Sequence, residues 1–180
     1  MPTDSCRHEP AALRPLVGLL HQLFDLIETL TDEEYTRKPV GVVESSIGGH
    51  VRHNLDHIRA LVCGLPAGCV CYDHRDRGTD VECDRVAALD AILQLERDLL
   101  AFAWDNVPHP VVLSVLVAPD LSPVLAPTSA ERELAFVVSH TIHHNALIRV
   151  MVKLIGAEVF ADFGYAPSTI AHKRSRTCVR

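Results

Sequence analysis

The 180-residue chain contains no run of eighteen apolar residues, so no membrane-spanning helix is expected. Its first ten residues, Met1-Pro2-Thr3-Asp4-Ser5-Cys6-Arg7-His8-Glu9-Pro10, lack a basic region followed by an apolar one. They do not read as a secretory signal, and a cytoplasmic location is the default expectation. Cys-x-x-Cys pairs are absent: the six cysteines are Cys6, Cys63, Cys69, Cys71, Cys83 and Cys178. In a reducing compartment they are expected as free thiols. Cys63, Cys69, Cys71 and Cys83 share one segment, but their spacing follows no established zinc pattern, so a structural zinc cluster is the minor alternative. Basic charge is the scarcer sign, 17 Lys and Arg against 23 Asp and Glu, with a net charge of −6. That balance argues against a nucleic-acid partner, which needs a clustered basic face. The one basic cluster, His172-Lys173-Arg174-Ser175-Arg176, is short and reads as a solvated, frayed tail. Internal repeats and low-complexity tracts are also absent.

What is present is a chain 48% hydrophobic and long enough for one domain with a real core. We expect a flexible N-terminus over 1–10, a single domain over 11–170 and a basic flexible tail over 171–180. Four long helical patterns emerge. The first runs from about Ala11 to Leu30, with Leu13, Leu16, Leu20, Leu23, Ile27 and Leu30 at helical spacing. Thr31-Asp32-Glu33-Glu34 has the form of a capping box opening an extra turn. The second helix is expected from Ser46 to Cys63, capped by Ser45 or Ser46 and ended by Gly64, Pro66 and Gly68. The third is expected from Val81 to Asn106, with Thr79 and Glu82 at capping-box spacing and Pro108 and Pro110 beyond its end. The fourth spans about Ser129 to Ile155, with Thr128 and Glu131 at capping-box spacing and Gly156 as its stop. Between the last two, Val111 to Val117 and Ser122 to Ala126 flank Pro119-Asp120 and read as a small β-hairpin. Pro123 would restrict its returning strand to an edge. The expected fold class is all-α, a four-helix bundle with a small β-hairpin between helices three and four.

The chemistry concentrates in histidine. His50, His53 and His57 lie on the second helix and His140, His143 and His144 on the fourth. Histidine is a mediocre helix former, so local propensity does not ask for this density. At about 100° per residue, His50, His53 and His57 fall within about 60° of one another and form a stripe. His140 and His144 are four apart and project side by side, while His143 turns away. Two imidazoles from one helix and a third from a neighbour make a three-histidine face with an open position, the pattern of a catalytic metal site. The His-Glu-x-x-His of metalloproteases is missing, and with it that motif's general base. A single His-x-x-x-His pair is more often incidental; two clusters on two amphipathic helices reverse that balance.

Ser46-Ile47-Gly48-Gly49-His50-Val51-Arg52-His53-Asn54-Leu55-Asp56-His57 resembles the second helix of the DinB/YfiT-like superfamily. Ser139-His140-Thr141-Ile142-His143-His144-Asn145-Ala146 resembles its fourth. The resemblance covers about residues 10 to 170. It implies a four-helix bundle with a divalent metal on three histidines, one from the second helix and two from the fourth. Carried onto this chain, the implied ligands are His53, His140 and His144, with His50 and His57 as alternatives for the second-helix ligand. The family often follows its paired histidines with Arg-Gly-Gln; here Asn145-Ala146-Leu147 follows. Two further stretches, Tyr72-Asp73-His74-Arg75-Asp76-Arg77 and Asp162-Phe163-Gly164-Tyr165, would line the mouth of the site or brace loops, bracing being favoured.

The expected cofactor is one divalent metal ion, zinc or nickel foremost, since imidazole suits both. The expected partner is a small-molecule substrate, with neither nucleic acid nor membrane, and a homodimer is an open expectation; the resemblance implies a low-molecular-weight thiol above others, since the superfamily includes thiol-dependent S-transferases. A metal can hold a thiol in its deprotonated form, so thiol S-transfer needs no separate base. The alternatives are a metal-dependent hydrolase using activated water and a non-enzymatic metal-binding stress-response protein.

Overall fold

The structure is a computed structural model; it describes residues 9–39, 41, 44–74 and 77–177. Cys6, Cys178, Arg75 and Asp76, with most of the expected N-terminal segment, lie outside the described residues.

The apolar repeat of the first segment produces α1, Leu13–Thr29, which buries Leu13, Leu16, Leu20, Leu23 and Ile27. The chain then leaves the helix at Leu30 and restarts at once. The Thr31 hydroxyl accepts from the Glu34 amide at 3.2 Å, and the Glu34 carboxylate accepts from the Thr31 amide at 2.8 Å. This expected capping box opens α2, Asp32–Thr36. Tyr35, fully buried, donates its hydroxyl to the Val81 carbonyl at 2.7 Å.

Ser46 caps α3, Ile47–Gly64, its hydroxyl accepting from the Gly49 amide at 3.1 Å. The glycine at 48 permits close packing there: a Cβ would stand 2.2 Å from the Glu82 carbonyl oxygen. The third long helix, α4, spans Arg85–Ala101 and is shorter at both ends than the sequence suggests. Asp84, in extended backbone, caps it by accepting from the Val86 and Ala87 amides, whereas Thr79 makes no such bond. Residues Asp80–Glu82 and Trp104–Asn106 form separate 3-10 turns. The last long helix, α5, spans Ala130–Leu154 with Ser129 as cap, rather than Thr128, and ends before Gly156 at φ +82°.

The expected hairpin is present as β2, Val111–Val115, and β3, Val124–Thr128, paired antiparallel with Leu113 opposite Ala126. A strand that alternation did not reveal, β1 at Cys69–Cys71, pairs parallel to β2 with Val70 opposite Leu113, giving the order β1-β2-β3. Pro127 sits within β3, an edge strand, where a missing amide is tolerated. A second departure is α6, Pro167–Thr177, helical across residues read as irregular chain and frayed tail. It is anchored through Arg174, which reaches Asp162 at 3.0 Å, and Lys173, whose ammonium lies 3.3 Å from the Tyr165 ring centre.

The fold is therefore mostly helical, with six helices and one three-stranded sheet among the described residues. The four long helices form a closed cycle of contacts: α3 packs on α5, α5 on α1, α1 on α4 and α4 on α3. Leu16, Leu20, Leu55, Ile58, Ile92, Leu99, Leu134 and Ile148 fill the space between them. None of the described helices is long and apolar enough to cross a membrane.

Candidate metal centre

The packing of α3 on α5 brings the two histidine clusters into one place. The Nε2 atoms of His53 and His140 stand 3.1 Å apart across the helix pair. His57 Nδ1 lies 3.1 Å from the His53 carbonyl oxygen. A carbonyl can only accept, so this ring nitrogen carries the proton and Nε2 carries the lone pair. A histidine whose Nδ1–H is held by a backbone carbonyl is the usual orientation of a metal-ligating imidazole. His53, His57 and His140 each offer a nitrogen, and the three lie within 4.8 Å of one another.

A tetrahedral zinc with bonds near 2.0–2.1 Å to nitrogen separates adjacent ligand atoms by about 3.3 Å. The His53–His140 separation is close to that edge, and all-imidazole donors suit zinc and nickel. By this test the residues fit a divalent ion.

His144, the third ligand implied by the family resemblance, belongs to the same cluster. Its ring centre is 4.4 Å from that of His53 and 4.6 Å from that of His140. Its Nδ1 faces His50 Nδ1 at 3.0 Å. Burial, followed by the neighbouring imidazoles led by His140, holds the His144 pKa down to about 3. Burial and then His143 lower that of His50. Both shifts favour the neutral ring, the form that binds metal. His143 is exposed and meets His144 edge-on at 5.2 Å, consistent with a residue turned away from the centre.

Aromatic packing fixes the cluster from one side. His57 is sandwiched between His140, at 3.8 Å and 16°, and Tyr72, at 5.2 Å and 7°. The Tyr72 hydroxyl donates to Glu133 at 2.9 Å. That fully buried carboxylate also accepts from Thr128 at 2.6 Å and from Arg132 at 2.8 Å. Phe136 packs on both Tyr72 and His140. The roles of Tyr72 and Glu133 were not legible in the sequence, because their partners sit on distant elements.

Other residues near the clusters have structural partners. Asp56 binds Arg52 at 2.9 Å and Arg59 at 3.2 Å. Asn54 donates to Asn145 at 3.2 Å, a buried bond between α3 and α5. Asp73 accepts from the Leu116 amide at 2.7 Å and braces the start of the hairpin loop, the favoured reading for that segment. Phe163 is core, and Gly164 lies against α5, where a Cβ would stand 2.6 Å from the Asn145 carbonyl oxygen.

The fold is DinB-like. The likeness is to the crystal structure of a DinB-like protein from Bacillus subtilis, with a TM-score of 0.59 over 82% of this chain and 92% of that one, at 16% identity. In sequence the chain is similar to FK506-binding protein 5 of Rhizopus delemar, 34% identical over 162 residues. That alignment takes in 89% of this chain but spans only 37% of the relative's length. No protein-family model matches the chain.

Proposed function

We propose that the chain is a divalent-metal-binding DinB-like protein that activates a low-molecular-weight thiol for S-transfer. The observation that carries the metal reading is the convergence of His53, His57 and His140, one nitrogen each within 4.8 Å, from two helices. His144 is the alternative third ligand. The closed cycle of contacts among the four long helices supports the four-helix-bundle reading that goes with such a site. When bound, zinc or nickel would supply Lewis acidity that favours the deprotonated form of a thiol or of water.

The choice of a thiol over water rests on the carboxylates. Asp56 is held by Arg52 and Arg59, and Glu133 by Tyr72, Thr128 and Arg132. Both are engaged, and neither is presented as a base for water. A thiol, more acidic than water and deprotonated when metal-bound, has less need of one. Around the centre, Tyr72 and Phe136 form an aromatic wall, and Arg132 lies 5.4 Å over Phe136. Val86, Leu93 and Leu100 recur at seven-residue spacing on α4 and are exposed, which supports a homodimer through that helix.

Elemental analysis of tag-free protein tests the metal: the His53→Ala/His140→Ala variant is expected to hold about one ion per chain fewer than the parent. Small thiols assayed with electrophiles, before and after chelation, test the reaction. Turnover requiring both thiol and metal is expected. Ester hydrolysis without added thiol would assign hydrolysis instead, and metal binding without turnover would leave a non-enzymatic metal-binding protein.

A further inference from the structure

Alternation along β1 divides its neighbourhood into two chemistries. Val70 and Tyr72 point into the protein, Tyr72 onto His57. Cys69 and Cys71 take the opposite face, with Cys69 exposed and Cys71 half-buried. Cys63 reaches the same side from the last turn of α3. The glycine after it makes this possible, since a Cβ on Gly64 would lie 2.6 Å from the Cys69 carbonyl oxygen and 3.0 Å from Val70 Cα. The three cysteines and His74 line one cavity of about 440 Å³, whose walls also carry Asp56 and Arg59. All three are free thiols. Cys83, the fourth cysteine of the segment, is not among the lining residues; His74 is. The spacing of the cysteines alone did not suggest that exchange.

We propose that this cavity is a second metal site, separate from the histidine centre, that takes a thiophilic cation. Cys63, Cys69 and Cys71 supply three thiolates and His74 a fourth donor, a Cys3His set. Thiolates bind soft ions such as Cu(I) and take zinc as well, whereas imidazoles suit borderline ions such as zinc and nickel. Each cysteine releases its proton to solvent as its sulfur binds the cation. Three thiolates around a monovalent or divalent ion leave net negative charge, and the cavity wall carries one cation, Arg59, which is paired with Asp56. Among the described residues, only the histidine triad already brings three donors within 4.8 Å. The proposed site requires the three sulfurs to close on the ion, and each moves with a single side-chain torsion, χ1.

The test uses the full chain with Cys6→Ser, Cys83→Ser and Cys178→Ser, so that only the three cavity thiols remain. Titration with Cd(II) alone should produce an ultraviolet thiolate-to-cadmium charge-transfer band that saturates at one equivalent. All three thiols should then resist iodoacetamide, read by mass spectrometry. Adding Cys69→Ser should abolish the band, and Cys63→Ser, on the other element, should do the same; both replace a partly or fully exposed sulfur by oxygen, and circular dichroism checks that the fold is kept. Adding His53→Ala/His140→Ala should leave the band intact, which separates this site from the histidine centre. Absence of the band, its survival in either serine variant, its loss with the histidines, or alkylation unaffected by Cd(II) would each overturn the proposal.

Discussion

His57 shows what a residue's neighbours add to its position in the sequence. Spacing places it on one stripe with His50 and His53 but cannot rank the three. The family resemblance selects His53 and leaves His57 as an alternative. What distinguishes His57 is its contacts: Nδ1 is taken by the His53 carbonyl one turn back on α3, and the ring is clamped between His140 and Tyr72 from other elements. His57→Ala should weaken zinc binding by at least about tenfold, measured by competition with a chromophoric chelator. His143→Ala should leave the affinity unchanged, because that ring is exposed and turned from the triad; equal losses in the two variants would show the triad to be misassigned. Gly164 is a second residue whose role depends on its contacts. Its φ of +70° and the 2.6 Å approach of a Cβ to the Asn145 carbonyl oxygen both oppose a side chain. Gly164→Ala should cost more than about 1 kcal/mol in urea denaturation, and a neutral result would refute the close docking of this loop on α5.

Among elements, the long helices were legible because their apolar periodicity is sustained over many turns. Their boundaries were less so. The third helical pattern runs unbroken through Val81 and Val86, and Thr79 and Glu82 imitate a capping box. Yet Asp84 takes an extended conformation and its carboxylate receives the first amides of α4. Two signals compete for one helix start, and only the backbone decides between them. Asp84→Ala should therefore destabilise the protein by about 1 kcal/mol, whereas Thr79→Ala should have a much smaller effect; thermal denaturation of the two variants would reverse in order if α4 began at the earlier site. The missing strand has a different cause. At three residues, β1 is too short to show alternation, and its parallel partner β2 lies far along the chain. Helix α6 was obscured by its composition, its polar and basic residues reading as tail, while its anchors, Asp162 and Tyr165, precede it on a loop.

For the molecule as a whole, the candidate metal centre couples two helices that the chain connects only through the sheet and α4. The α3–α5 contact already holds the buried Asn54–Asn145 bond and the His53–His140 approach. An ion shared by His53 and His57 on α3 and His140 on α5 would tie these helices in the folded state, and the unfolded chain offers no such preformed set. Binding restricted to the folded state adds stability that grows with ion concentration, about 2.7 kcal/mol at one hundred times the dissociation constant. For a protein of this size that corresponds to a rise of roughly 5–10 °C in Tm. Chelation should remove the increment and zinc or nickel should restore it. His140→Ala should abolish the response to metal even where its own apo Tm stays close to that of the parent. The comparison separates a metal that bridges α3 and α5 from one bound adventitiously at the surface. In the first case the metal-dependent shift disappears with either helix's histidines, His53 or His140. A shift that survives both substitutions would place the stabilising ion elsewhere and remove the histidine centre as the link between the two halves of the fold.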